Sequence, residues 1–395
     1  MLVEKMAVKK FLDTYPRELF EESFKIVFND KSKEEIKVGE GEVGFTIILN
    51  ESFNKKDFLK DPSIVLGEAY MDKKIEVEGD LYKCLSMIMH IRKELLEKIK
   101  TLEKNEPRRN DVSKEKQEQE VKSHYDLGND FYKLWLDETM NYSCAYFKNP
   151  DDTLYQAQSN KVNHIINKLQ LKDGMSLLDI GCGWGDLLIV AAKKYNIKGT
   201  GITLSQEQYK GFKSRIEEEG LEDRLDVKLM DYRDLKDSKL LFDRVVSVGM
   251  IEHVGNENYG LFLDNVKAVL KTKGVFLLHF ISGGKESGTD KWMDKYIFPG
   301  GVIPSLREII FKGVDRDFNV IDVESLRRHY IKTLLCWHDN FTKEEDTVKE
   351  MFDERFVRMW RLYLLACAAN FNVGGIDLHQ IVFTNGVNNT LAMTR

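Results

Sequence analysis

The stretch LLDIGCGWG (177–185) is where residue types and spacing first suggest chemistry in this 395-residue chain. Asp179 closes an apolar run, and Gly181, Gly183 and Gly185 follow at alternate positions. Glycines in a turn from strand to helix let a ligand lie against bare backbone, and the helix N-terminus favours electron-rich groups. The phosphate-loop pattern G-x-x-x-x-G-K-[ST] is absent, and the third glycine of the dinucleotide fingerprint is missing from its spacing. By spacing alone the turn serves a nucleoside ligand, a dinucleotide or nothing beyond a tight connection. A second group of residues could move protons or hold an anion. Glu252 and His253 directly follow an apolar run, His279 stands inside FLLHF, and Cys144 lies in the aromatic NYSCAYF. Each also has a plainer reading: an isolated His in an apolar strand is often a satisfied core residue, and a Cys often a small buried hydrophobe. Ligands bind at strand C-termini in open α/β sheets, which favours a role for Glu252.

The elements that must position these residues alternate strictly. MSLLDIG (175–181) reads as a strand, LLIVAAKKY as a helix, IKGTGITL as a second strand and QEQYKGFKSRIEEEG as a helix closed by Gly220. LDVKLMD, FDRVVSVGM and GVFLLHFIS read as three more strands, with the helix NYGLFLDNVKAVLK before the last. Such alternation implies right-handed crossovers and a doubly wound parallel sheet. The second strand ends GITLS (201–205), without the acidic residue that often holds ribose hydroxyls there, and Gln208 is a candidate replacement.

Around this core the composition is that of an ordinary soluble globular chain, 42% hydrophobic and 31% charged with six prolines. Its length allows two or three domains of usual size. No run approaches the roughly 20 apolar residues of a membrane-spanning helix, and the charged first 20 residues give no sign of a secretory signal, so cytoplasm is the expected location. A net charge of −6 argues against nucleic-acid binding driven by phosphate neutralisation. The five cysteines are widely spaced without a C-x-x-C pair, so free thiols are expected and a metal site is not. Cys84, Cys182, Cys336 and Cys367 read as structural.

Residues 1–104 read as a small mixed domain: a first helical run, a hairpin-like stretch over 37–49, a strand carrying Ile75, Val77 and Gly79, and a helix starting at an Asp80 cap. That helix spaces Leu81, Leu85, Ile88, Leu95, Ile99 and Leu102 along one face. Residues 105–122 bury too little to offset their ordering entropy and read as a linker. Near the C-terminus Phe356, Met359, Trp360, Tyr363, Leu364 and Cys367 form a wide apolar helix face. It reads either as core or as one wall of an acyl-chain tunnel with Tyr296, Phe298 and Pro299.

Six motifs in order, NYSCAYF (141–147), LLDIGCGWG, GITLSQEQ (201–208), SVGMIEHVG (247–255), KYIFPGG (295–301) and HYIKTLLCW (329–337), resemble the cyclopropane fatty acid synthase family. The resemblance spans 123–395, and LGEAYMDKKIEVEGDL (66–81) is similar to the extra N-terminal domain of the branch acting on phospholipids. The resemblance implies an α/β fold: a Rossmann-like S-adenosylmethionine (SAM)-dependent methyltransferase domain at 123–395 with acyl-binding insertions, joined by the linker to a small α+β lipid-docking domain at 1–104. It implies transfer of a methyl group from SAM to the cis double bond of acyl chains in membrane phospholipids, followed by proton loss and closure of a cyclopropane ring, with bicarbonate as proton acceptor. The alternative is an acyl-lipid methyltransferase giving a methyl-branched or methylene product. Positions matching the family's SAM ligands are Tyr142, Ser143, Asp179, Gly181, Gly183, Thr203, Leu204, Gln208 and Tyr232. Those matching its bicarbonate site are Cys144, Glu252, His279, Ile281 through its backbone, and Tyr330. His279 and Tyr330 are expected to donate, because an anion beside Glu252 needs donors that outnumber like charge. Peripheral association with the inner face of the membrane and a homodimer are further expectations of the resemblance.

Overall fold

The computed structural model describes residues 1–14, 20, 22–98, 113, 116, 127–286 and 288–393, so the expected linker lies outside the described residues apart from Ser113 and Lys116. The chain forms two compact units. One comprises Met1–Lys104, Asp290–Ile297 and Leu334–Gly375; the other comprises Asn105–Thr289, Phe298–Thr333 and Ile376–Arg395. A single boundary near residue 104 therefore does not divide them, because two later segments pack with the first hundred residues.

The first unit begins with helix α1 (Leu2–Thr14), strands β1 (Phe24–Phe28), β2 (Glu35–Val38) and β3 (Phe45–Leu49), and the short helix α2 (Lys55–Lys60). Helix α3 (Pro62–Met71), strand β4 (Ile75–Gly79) and helix α4 (Leu81–Lys98) follow. Its sheet has the order β2-β1-β3-β4. The hairpin expected over 37–49 is not formed: β1 inserts between β2 and β3, antiparallel to the first and parallel to the second. The physical reason is aromatic burial, since Phe24 and Phe45 are register partners whose rings stack at 5.3 Å, both nearly inaccessible to solvent. Asp80 caps α4 by accepting from the Lys83 amide at 3.0 Å. The buried face of α4 runs through Cys84 and Ile91, while Ile88 is 38% exposed, so the face expected from Leu81, Leu85 and Ile88 is rotated.

The helix Glu354–Asn372 belongs to this unit, where it packs against α3 and α4. Asp353 caps it by accepting from the Phe356 amide. Arg358 donates to the carbonyls of Tyr70 and Ile75 at 2.6 and 3.1 Å, fastening the helix to α3 and β4. Its apolar face is core, burying Met359, Trp360, Tyr363 and Leu364. Tyr296 lies in the same unit and donates to Glu68 at 2.6 Å, whereas Phe298 and Pro299 belong to the other.

The second unit carries helices α5 (Asn129–Trp135) and α6 (Leu154–Leu169), then strand β5 (Ser176–Ile180), helix α7 (Asp186–Lys194), strand β6 (Lys198–Thr203) and helix α8 (Gln206–Glu218). Strands β7 (Leu225–Leu229) and β8 (Phe242–Val248), helix α9 (Tyr259–Val269) and strands β9 (Leu270–Gly283), β10 (Phe318–Ser325) and β11 (Ile376–Asn385) complete its sheet. The strand order is β10-β11-β9-β8-β5-β6-β7. Strands β5 to β9 are parallel, as the alternation predicts. Beyond β9 the sheet is mixed, since β11 runs antiparallel to β9 and β10 antiparallel to β11. Alternation along the strands feeds two core layers. Leu177, Val246 and Leu277 join α6 and α7 on one side, while Leu178, Val245 and Phe276 join α9 on the other. Among the described residues no helix is long and apolar enough to cross a membrane.

Candidate active site

Strand β5 delivers Asp179 to the glycine turn, where Gly181, Gly183 and Gly185 have φ of +80°, +55° and +82°. The amides of Gly181 and Cys182 donate to the Ile202 carbonyl at 2.9 and 3.1 Å, pinning the turn to β6. A Cβ on Gly185 would stand 2.0 Å from Phe212, whereas a Cβ on Gly183 would meet no protein atom within 4 Å. Gly185 is thus required by packing, whereas Gly183 is favoured by its positive φ and faces open space.

All nine residues expected to hold SAM line one cavity: Tyr142 and Ser143 from the segment before the sheet, Asp179, Gly181 and Gly183, then Thr203, Leu204, Gln208 and Tyr232. Ser205 caps α8 by accepting from the Gln208 amide at 3.3 Å, and Thr203 donates to the Gln208 side chain at 2.8 Å. Two polar atoms on this wall are buried without a partner, Asp179 Oδ1 and the Tyr232 hydroxyl. Burial pushes the Asp179 carboxyl up to about 7, with the Lys161 charge pulling the other way. A buried acceptor left open, beside a backbone cradle with no side chain, fits a ligand that carries an ammonium group. SAM is such a ligand.

Sequence reasoning missed several lining residues, among them Lys161, Trp184 and Met250, and His253, singled out beside Glu252, lines this cavity as well. Trp184 donates its indole N–H to Asn129 at 3.1 Å and packs with Tyr132, whose ring also meets Tyr142 at 5.5 Å. Lys161 is 2% exposed and donates to Asn141 Oδ1 and Ser143 Oγ at 2.7 and 3.0 Å. The available signal was a lysine on an apolar stripe, since Leu154, Ala157, Lys161, Ile165 and Lys168 share the buried face of α6. Burial pushes its ammonium down to about 8 against the pull of nearby acids, Asp186 first. Burial likewise holds His253 down to about 4, so it is neutral near pH 7.

None of the five residues expected at the anion site lines that cavity, although their chain neighbours Ser143, Met250 and His253 do. The Ile281 amide donates to Glu252 Oε1 at 2.7 Å, and Glu252 Oε2 is buried without a partner. Desolvation pushes this carboxyl up to about 7, partly countered by the Ile281 amide. His279, two residues earlier on β9, is 1% exposed and holds Gln380 through Nδ1 at 3.1 Å, leaving Nε2 without a partner. Burial, aided by Lys161, keeps its imidazole well below the usual range and hence neutral. With Nδ1 accepting from Gln380, Nε2 carries the proton.

Cys144 and Tyr330 meet at another point. The Cys144 thiol donates to the carbonyls of Ala145 and Leu326 at 3.2 and 3.8 Å, and the Leu326 carbonyl also accepts the Tyr330 amide at 3.1 Å. Full burial raises the thiol above its ordinary range, which rules out a standing thiolate. The structure therefore joins Glu252 to Ile281 and Cys144 to Tyr330, with His279 two residues before Ile281 on β9 and bonded to Gln380 of β11. An acceptor at Glu252 Oε2 and a donor at His279 Nε2 fit a small oxyanion that still carries one proton, as bicarbonate does.

The family model described as mycolic acid cyclopropane synthetase matches residues 112–381, and a model for a domain of unknown function matches residues 11–100. The chain is 42% identical to a probable fatty acid methyltransferase of Pseudomonas putida, over 80% of this chain and 81% of that one. It is 40% identical to the cyclopropane-fatty-acyl-phospholipid synthase of Escherichia coli K12, over 88% of this chain and 90% of that one. Its fold matches the mycolic acid cyclopropane synthase CmaA1 complexed with SAH and CTAB, with a TM-score of 0.64 and 33% identity, over 68% of this chain and 98% of that one.

Proposed function

The chain belongs to the mycolic acid cyclopropane synthetase family, and on that premise we propose that it cyclopropanates unsaturated acyl chains of membrane phospholipids. SAM, when bound, supplies an electrophilic methyl on a sulfonium. An alkene has no proton to lose beforehand, so no base is needed to activate it, and the cavity walls contribute alignment and exclusion of water. Once the methyl has joined the double bond, positive charge develops on carbon. The faces of nearby aromatic rings, Tyr142 among them, stabilise that charge without forming a bond to it.

The observation that carries this reading is the pair of buried, unpartnered atoms Glu252 Oε2 and His279 Nε2, set in and beside the segment that lines the donor cavity. Bicarbonate, when bound, supplies a proton acceptor that cannot trap the cation by forming an ester with the protein. Glu252 Oε2 would accept its hydroxyl and His279 Nε2 would donate to one of its remaining oxygens, while the Ile281 amide holds the Glu252 carboxylate in place and Tyr330 closes the site from the Cys144 side. Cys144 would shape the wall behind them from its buried position.

We place the docking role on the first unit. On α2, Phe58 and Leu59 are 37% and 72% exposed beside the exposed Lys56 and Lys60, a pairing of apolar and basic side chains suited to an anionic phospholipid surface. A homodimer would present two such faces and gain avidity at the inner leaflet.

Incubating the pure protein with labelled SAM and unsaturated phospholipid vesicles, then recording proton NMR of the acyl chains, tests the reaction. High-field ring protons are expected. The P. putida relative's name keeps a methyl-transfer product in view. Methyl-branch or vinylidene signals would make the protein an acyl methyltransferase, and no acyl label would overturn the lipid substrate.

A further inference from the structure

Lys161 is a buried cation that the proposed chemistry leaves without a task. Its ammonium is bonded to Asn141 Oδ1 and Ser143 Oγ, two neutral acceptors. Gln158 already clamps the same turn, donating to the carbonyls of Asn141 and Ser143 at 3.3 and 3.0 Å. A neutral amide therefore suffices to hold the turn, while burying an ammonium costs several kcal/mol before its partners are counted. The charge needs its own explanation.

Three carboxylates act on Lys161: Asp186, Asp137 and Asp179. Asp186 is already engaged by Arg215 at 3.1 Å and by Asn141 at 2.9 Å. Asp137 accepts from the Thr139 hydroxyl at 2.9 and 2.8 Å. Asp179 alone of the three is left with an unpartnered buried oxygen, and it shares the cavity wall with Lys161. We propose that Lys161 is a positioning residue for the donor, holding Asp179 as the carboxylate that receives the ammonium group of SAM. This rests on the reading that the cavity takes SAM. Lys161 acts through Asp179 and through the turn that carries Ser143.

The titratable groups that share the cavity wall with Asp179 are Lys161 on α6, Cys182 and Asp186 at the glycine turn, Tyr232 after β7 and His253 after β8, with Glu252 one residue before His253 in the chain. Burial raises Cys182 and Tyr232 and lowers His253, taking all three out of the neutral range. Glu252, pushed up to about 7, titrates in every variant compared, so differences between variants report Lys161.

The test is calorimetric binding of S-adenosylhomocysteine, which keeps the ammonium and lacks the sulfonium, to the full chain between pH 5.5 and 8.5. The wild-type affinity is expected to fall as pH drops through about 7, where Asp179 takes up a proton. In Lys161→Met that limb is expected about one pH unit higher, giving roughly fivefold weaker binding at pH 7, approaching tenfold at pH 5.5, and near-equal binding at pH 8.5. Lys161→Arg should restore the wild-type limb. The ratio of affinities at two pH values within one protein is not mimicked by partial loss of fold. An unmoved limb in Lys161→Met, or equal weakening at every pH, would overturn the role of Lys161. Failure of the wild type to bind at all would instead overturn the reading of the cavity.

Discussion

Glu252 Oε1 takes the Ile281 amide at 2.7 Å while Oε2 of the same carboxylate stays buried and unpartnered, so one oxygen is fixed and the other is left for a ligand. The arrangement costs stability. Because the folded-state carboxyl is raised from 4.5 to about 7, the folded protein holds this proton more tightly than the unfolded chain, and stability from this group falls as pH rises between those values.

Glu252→Gln removes that penalty and, on the proposed role, the function with it. Thermal unfolding should give equal stability for wild type and variant near pH 4, and a variant more stable by a few kcal/mol near pH 8. Turnover should drop by about 100-fold or more. A variant with full turnover over a range of added bicarbonate would exclude Glu252 from the proton-accepting site.

The two glycines at the turn should fail differently. Gly185→Ala puts a methyl against Phe212 and should lower stability by about 2 kcal/mol or more, read as a fall in denaturant midpoint. Gly183→Ala meets no protein atom and should lose only about 1 kcal/mol, from its positive φ, while weakening donor affinity at least tenfold. Equal donor affinity in folded Gly183→Ala would show that the space beside it is not used.

Docking through α2 predicts that Phe58→Ser with Leu59→Ser lowers flotation with anionic phospholipid vesicles about tenfold or more and leaves affinity for S-adenosylhomocysteine within twofold. Vesicle binding as strong as that of the wild type would remove α2 from the docking surface.

A chain cut to residues 105–395 should be poorly soluble. Its helix Glu354–Asn372 would lose the cover of α3 and α4, and Arg358 its two carbonyl acceptors. Size-exclusion chromatography and a thermal melt decide the point: a soluble fragment with one cooperative transition near that of the whole chain would contradict it.

The parallel strands were legible because each is a short apolar run closed by turn residues, and the glycine turn because its backbone demands are written in residue type. The donor residues could be named through motif resemblance, and they do share one cavity. Lys161 was hidden because a lysine on a helix usually marks solvent, and only packing reveals that α6 buries it. The β2-β1-β3 order was hidden for a related reason: the glycines between β2 and β3 mimic a hairpin, and the Phe24–Phe45 stack that overrides it joins positions distant in sequence. The rotation of α4 toward Cys84 likewise depends on what covers the helix.

The three-part make-up of the first unit bears on how the protein comes into being. A ribosome releases β1 to β4 and α4 long before residues 354–372, the helix that packs on α3 and α4. Strands β1 to β4 therefore wait, with apolar surface open, through the synthesis of six of the seven strands of the larger sheet. Such incomplete translation products are the ones most in need of chaperone shelter, and the four-stranded sheet, though made before the larger one, is covered after most of it.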